Sequence, residues 1–181
     1  MTLTVRIDAE DSRSCSELLK DGWHEGDVLV TYVLDVGIET GADSSRVFLA
    51  KPEDREQCVF IANKSFPKDK TEWVRRAFSR TDRMVLIGKI HGELAGFVIV
   101  RQQPKTVIID LIATKIGRQG LGAELVWAAW WRCPKWDAGS KLLLVNTMIK
   151  AGTSANNQIA RSFYKKLGFR TLGKKRTFHK T

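Results

Sequence analysis

The chain is 181 residues long, 43% hydrophobic and 28% charged, which fits a globular protein of one domain, with or without a small addition. No apolar run is long enough to span a bilayer, and the opening Met1-Thr2-Leu3-Thr4-Val5-Arg6 lacks the charged-then-apolar layout of a signal peptide. Cys15, Cys58 and Cys133 are odd in number and widely spaced, so neither a metal site nor a disulfide framework is expected, and a reducing cytoplasm is the expected location.

The net charge of +10 is uneven. Residues 1–45 hold three basic and ten acidic side chains, a net of −7, and the remainder carries +17. A basic body calls for an anionic partner, whether nucleic acid, a membrane surface or a phosphorylated small molecule. The shift in sign places a boundary near residue 45, with the acidic segment expected to pack on the basic body.

In chain order, Leu3, Val5 and Ile7 alternate within a short strand over Thr2 to Asp8. Ser12 to Trp23 has helical spacing, and Asp27 to Val36 is rich in β-formers. These make a small β-α-β segment, followed by a glycine-bearing loop over Gly37 to Ser45. Val47 to Ala50 reads as the first strand of the main body. Pro52-Glu53-Asp54 then starts a helix, and a second helix covers Thr71 to Arg80. Met84 to Ile90, Leu94 to Val100 and Thr106 to Ala113 form an antiparallel meander, with His91-Gly92 as a tight hairpin turn. Asp110 interrupts the apolar run of the third strand, where a carboxylate needs a partner or a purpose.

The meander runs into Gly117-Arg118-Gln119-Gly120-Leu121-Gly122. Glycines at a strand-to-helix junction let the backbone approach a ligand, and the helix beginning there aims its unpaired N–H groups and positive dipole end at the turn. Such a turn accepts a phosphate or diphosphate, or it is a tight turn without a ligand. The helix that follows, apolar nearly all round from Leu121 to Trp131, is expected to be buried and to stop near Pro134. Leu142 to Ile149 reads as a strand parallel to the one before the helix, and Ala151 to Ser154 as a loop. A helix over Asn156 to Leu167, capped by Asn156 and ended by Gly168, leads to a basic final strand over Phe169 to His179. The chain reads as free of internal repeats.

Two stretches carry a resemblance. Ile109 to Ala113 followed by Gly117 to Ala123, and Asn157-Gln158-Ile159-Ala160-Arg161-Ser162-Phe163-Tyr164-Lys165-Lys166-Leu167-Gly168-Phe169, resemble the acetyl-CoA-binding and C-terminal motifs of the GCN5-related N-acetyltransferase (GNAT) superfamily. In the first motif Gly120 and Gly122 match, while Gly117 stands where relatives carry Arg or Gln, leaving Arg118 or Lys115 as replacement side chains. The resemblance covers residues 47–181. Residues 1–36, Ala62 to Trp73 and Thr177 to Lys180 are further similar to bacterial sugar-nucleotide N-acetyltransferases of the TDP-fucosamine type.

The resemblance implies a mixed, mostly antiparallel α/β sheet flanked by helices, with residues 1–45 as an appendage and 46–181 as the acetyltransferase domain. It implies acetyl-CoA as co-substrate, no metal, and transfer to a primary amine by direct attack. Backbone amides of Gly117, Arg118, Gln119, Gly120, Leu121 and Gly122 would hold the diphosphate. The strand Leu111, Ile112 and Ala113 would pair with pantetheine, with an amide near Ile112 facing the thioester oxygen. Asn157 would touch CoA, and Tyr164 would both contact CoA and protonate the departing thiolate. Asp110, and second His179, are the candidates for deprotonating the amine. The basic body favours a nucleotide-linked amino sugar as acceptor. Another small amine, a peptide N-terminus, a non-catalytic acyl-CoA sensor and a nucleic-acid binder are the alternatives. The last lacks any recognition motif. Membrane association is not expected, and a homodimer is left open.

Overall fold

The computed structural model describes residues 2–36, 44–103, 106–115, 117, 119–136 and 148–180. In chain order the elements are β1 (Leu3–Asp8), α1 (Ser12–Lys20), β2 (His24–Asp35), β3 (Val47–Leu49), a 3-10 turn (Pro52–Asp54), α2 (Arg55–Ser65), α3 (Thr71–Ser79), β4 (Met84–Ile90), β5 (Glu93–Gln103), β6 (Thr106–Thr114), α4 (Leu121–Trp136), β7 (Met148–Ser154), α5 (Gln158–Lys166) and β8 (Arg170–Lys180). They form two compact units, Asp35–Ile149 and Met1–Leu34 with Lys150–Thr181. The sign of charge changes near residue 45, whereas the contacts divide the chain at 34/35 and 149/150, because the strands that pair with β1 and β2 lie at the C-terminal end.

Within Asp35–Ile149, β3, β4, β5 and β6 form the expected antiparallel meander, with Val47 opposite Gly88, Met84 opposite Val100 and Gly96 opposite Thr114. His91 and Gly92 turn the β4–β5 hairpin with φ of 51° and 83°. Two left-handed residues in succession give a turn whose twist matches the strands. On one face, Cys58, Ile61 and Ala62 of α2 and Val74 and Ala77 of α3 pack with Ile87, Phe97, Ile99, Leu111 and Ala113. Burying each larger side chain contributes about 1.5–3 kcal/mol. Strand alternation puts Gly88 and Gly96 on the other face, where α4 lies: a Cβ at either position would meet Leu121. Leu125, Val126, Ala128, Ala129 and Cys133 of α4 are buried as its apolar sequence demands. No helix among the described residues is long and apolar enough to cross a membrane.

The second unit overturns the reading that the chain has no internal repeat. Adding 146 to a residue number in β1-α1-β2 gives its counterpart in β7-α5-β8: α1, Ser12–Lys20, becomes α5, Gln158–Lys166, and the start of β2, His24, becomes the start of β8, Arg170. The strand order β1-β8-β2-β7 is unchanged when the copies are exchanged. In the central β2–β8 pair, Val28 opposite Arg176 corresponds to Val30 opposite Lys174, and Leu29 faces its own counterpart Lys175. Even the bulges correspond, since Glu25 opposite Phe178 matches Tyr32 opposite Thr171. The hydrogen bonds follow: Ala9 N–H donates to Lys174 O (3.0 Å) and Ala155 N–H to Val28 O (2.7 Å). Trp23 N–H donates to Leu18 O and Phe169 N–H to Tyr164 O, both at 3.0 Å. An approximate two-fold axis therefore passes between Leu29 and Lys175.

The repeat escapes the sequence because only Ala9/Ala155, Ser16/Ser162, Lys20/Lys166, Gly22/Gly168 and Thr31/Thr177 are identical. What is kept is end chemistry. Asp11 and Asn157 each cap a helix by accepting from the amide three residues on, at 3.0 Å, and Gly22 and Gly168 each end one with φ of 78° and 87°. These are features of helices in general, so they do not advertise a copy. The repeat also corrects three boundaries. Ala151 to Ser154 belong to β7 rather than a loop, since Ala155 and Gly152 lie against Val28 and Leu29 of β2. Trp23 lies beyond α1, which ends before Gly22. The α5 cap is Asn157, not Asn156. The expected strand over Leu142 to Ile149 is described only from Met148.

Candidate active site

In the unit Asp35–Ile149 the site is built from β6 and the turn after it. Ile99 of β5 faces Leu111, but Val100 faces Ile109, so Asp110 is the extra residue of a bulge. A bulge re-aims a side chain without ending the strand. Here it delivers a carboxylate that is only 9% exposed to two arginines. Arg101 Nε donates to Asp110 Oδ1 at 3.0 Å. Arg83 Nε lies 2.7 Å from Oδ2, an ion-pair contact without hydrogen-bond geometry. Arg83, 16% exposed, also donates from Nη1 to Asp82 Oδ2 at 2.5 Å. The Arg80 hydrogen bond to Asp82 holds that carboxyl down, at about 2. The partner that the sequence demanded for Asp110 is therefore present, and it is a pair of guanidiniums. Leu111 and Ala113 point into the core, so any part they take in binding is through the backbone; Ile112, between them, faces the other way.

The glycine turn is anchored by Leu121. A Cβ at Gly88 would lie 2.5 Å from Leu121 Cδ1, and one at Gly96 3.2 Å from Cδ2. The paired strand glycines thus form a notch that receives the first residue of α4. Isolated glycines in strands are the sequence signal for such an approach. Gly120 has φ of 77°, a conformation suited to glycine. The ladder of α4 starts with Glu124 N–H to Gly120 O at 3.2 Å, so the amides of Leu121, Gly122 and Ala123 are not used by it. Gly117 has open space where a side chain would be. These three amides, beside two bare glycines and at a helix's positive end, fit a diphosphate. Arg118 lies outside the described residues. Lys115 donates its amide to Ala95 O at 2.6 Å, and it lines a cleft of about 290 Å³ with Ile90, His91 and Leu94.

Sequence reasoning missed a cation that stands at the turn. Arg46 Nη2 donates to Gln119 O at 3.4 Å, and its guanidinium is ion-paired to Glu124 in the first turn of α4, with Nε 3.0 Å from Oε2. Ser44 Oγ donates to the same oxygen at 2.5 Å. These bonds, that of Arg46 foremost, hold the Glu124 carboxyl below its ordinary range. The guanidinium offsets an acid placed where an anion would dock. A residue 73 positions from Gln119 in sequence gives no local signal.

In the other unit, Asn157 Oδ1 accepts from Ala160 N–H, so the carbonyl end of the side chain expected at CoA serves as the α5 cap. Tyr164, 3% exposed, stacks on Tyr32 with centroids 5.5 Å apart and a 29° tilt, and packs against Phe163 and Phe169 at 5.3 and 5.2 Å. Burial pushes its phenol well above the ordinary tyrosine value, so it stays protonated throughout the neutral range and gives up that proton less readily than a free tyrosine. His179 Nδ1 lies 3.0 Å from Thr4 Oγ1, and His179 stands opposite His24 in the β2–β8 pair. Asp110 and the glycine turn belong to one unit, and Asn157, Tyr164 and His179 to the other. Among the described residues no group of three His, Cys, Asp or Glu could hold a metal.

No curated protein matches the chain. Among solved structures it is similar to a GCN5-related N-acetyltransferase from Sphaerobacter thermophilus (TM-score 0.69, 10% identity, 99% of this chain and 59% of that one). It is also similar to one from Kribbella flavida (0.63, 14%, 98% and 67%). The ribosomal-protein-S18-alanine N-acetyltransferase from Escherichia coli shares the fold over a smaller part (0.57, 17%, 74% and 89%). The chain thus spans about three-fifths to two-thirds of the first two. At these identities the likeness is one of fold. Residues 49–169 match the family model described as the Acetyltransferase (GNAT) family, and this chain belongs to that family.

Proposed function

We propose that the chain transfers the acetyl group of acetyl-CoA to a primary amine by direct attack. The observation that carries this is the turn led by Gly120, whose three amides lie outside the α4 ladder and within the segment that matches the GNAT family model. In the proposed reaction the neutral amine attacks the thioester carbonyl carbon. The C–N bond forms, the C–S bond breaks, the thiolate takes the Tyr164 hydroxyl proton, and the proton that the new amide nitrogen sheds returns the tyrosinate to the phenol through water. Holding amine and thioester together supplies much of the rate by making the attack effectively intramolecular. An N–H near Ile112 supports the oxyanion. Asp110 receives the ammonium proton through water, with Arg83 and Arg101 holding its carboxylate in place; His179 is the second candidate. Amides of the turn between Gly117 and Gly122 cradle the diphosphate, and Arg46 cancels the charge of Glu124 that would otherwise repel it.

For the acceptor we put a nucleotide-linked amino sugar first, on the strength of the +17 charge of residues 46–181. Peptide N-termini are the second class. The test is acetyl-CoA-dependent thiol release against TDP- and UDP-amino sugars, polyamines and peptides. Turnover with nucleotide sugars supports the assignment. Turnover confined to peptides or polyamines keeps the transferase and rejects the sugar, and no release with any amine rejects the transferase.

A further inference from the structure

The two copies of β-α-β agree in element order, helix caps and strand register and differ in their interiors. On α5, Arg161 and Tyr164 face Tyr32 of β2: Arg161 Nε donates to Tyr32 Oη at 3.4 Å, and the Tyr32 ring lies stacked on Tyr164. Arg161 Nη1 is tied to Ala155 O at 2.9 Å, at the entry to the helix. The counterparts of Arg161, Tyr164 and Tyr32 are Cys15, Leu18 and Phe178. Cys15 and Phe178 are buried and Leu18 is half-buried, so the equivalent positions of the first copy carry no hydroxyl and no charge. The first copy is therefore an internal control. It shows that the fold needs neither the guanidinium nor either phenol. Placing an arginine and a tyrosine hydroxyl beneath a helix costs desolvation that the apolar set avoids, so their presence in one copy asks for a task that only that copy performs.

We propose that Arg161 and Tyr32 are positioning residues for Tyr164. Arg161, held by the Ala155 carbonyl, fixes the Tyr32 hydroxyl. Tyr32 is wholly buried and fixes the plane of the ring stacked on it. Tyr164 is thereby kept in one orientation from which its hydroxyl can hand over a proton. This inference rests on Tyr164 being the acid of the reaction proposed above.

The test uses the swaps that the other copy already accommodates, Tyr32→Phe and Arg161→Cys, in the full chain. Tyrosine occurs only at 32 and 164, so ring-labelled tyrosine gives NMR signals from these two residues, and in Tyr32→Phe from Tyr164 alone. Tyr32→Phe keeps the stacked ring and deletes one oxygen, so packing alone predicts no change. Positioning predicts faster flipping of the Tyr164 ring in both variants, with unchanged melting. It also predicts a fall in kcat of about 10- to 100-fold at unchanged KM for acetyl-CoA. The triple swap Arg161→Cys, Tyr164→Leu, Tyr32→Phe should fold and be inactive. Wild-type flipping rates in both single variants overturn the proposal, whatever their kcat. An inactive wild-type chain whose Tyr164 ring is nonetheless loosened by the swaps would reject the transferase and leave the positioning standing.

Discussion

Replacing Gly88 by alanine tests whether the proposed diphosphate turn is set by the notch beneath it. The added methyl would stand 2.5 Å from Leu121 Cδ1, 3.0 Å from Cγ and 3.1 Å from Cδ2. No single terminal methyl can step aside, because the whole head of the side chain is within reach. Leu121 is 1% exposed, so it has little room to rotate. Overpacking of this kind costs about 1–3 kcal/mol, or a melting shift of roughly 2–12 °C for a chain of this size. Gly88 does not use a left-handed backbone, so alanine there carries no conformational penalty of its own. With the clash removed, the same change should stabilise by about 0.4–1 kcal/mol. Leu121→Ala alone costs about 2–5 kcal/mol. The double variant Gly88→Ala, Leu121→Ala should therefore melt at or above Leu121→Ala, although Gly88→Ala melts below wild type. Thermal melts give this cycle, and calorimetric titration with CoA should show weaker binding in Gly88→Ala. If Gly88→Ala were neutral in both stability and CoA affinity, the notch would not be what positions the turn.

Three other outcomes follow from particular contacts. Asp110→Asn leaves Arg83 and Arg101 facing a neutral amide, and the loss is about 1–3 kcal/mol. It falls below that of a fully buried pair because the Arg101 side chain is 38% exposed. With Asp110 as the proposed base, Asp110→Asn should also lower kcat by about 100-fold or more near neutrality. The deficit closes as pH rises and the amine enters already neutral; a pH-independent deficit would make Asp110 structural alone. Asp11→Ala and Asn157→Ala each remove one helix cap and cost about 1 kcal/mol in thermal melts. Only Asn157→Ala should also weaken CoA binding; equal CoA affinity in both would confine Asn157 to its cap.

Most of the fold could be read from the sequence. The alternating runs of β4, β5 and β6, the His91-Gly92 turn and the apolar face of α4 are local patterns, and each appears where its period placed it. The glycine turn was legible for the same reason. Three things were not. The relation between β1-α1-β2 and β7-α5-β8 rests on cap and turn geometry across 146 positions, and generic residues satisfy that geometry. The partners of Asp110, and Arg46 beside Gln119, come from distant parts of the chain. The surroundings of Tyr164 depend on Tyr32, whose place in the middle of an apolar strand looks like ordinary core until its counterpart position is set beside it. The demand for a partner at Asp110 was in the sequence; the identity of that partner was not.

The central claim is that Tyr164 acts as the acid of acetyl transfer. The most direct measurement compares acetyl-CoA turnover and CoA binding in Tyr164→Phe with an amine that the wild-type chain accepts. The ring and its stacking on Tyr32 are kept and only the hydroxyl is lost. The account predicts CoA affinity within about twofold of wild type and turnover lower by about 100- to 10,000-fold, the range that general acids supply. Unchanged turnover would contradict it, and would leave Tyr164 as a core residue.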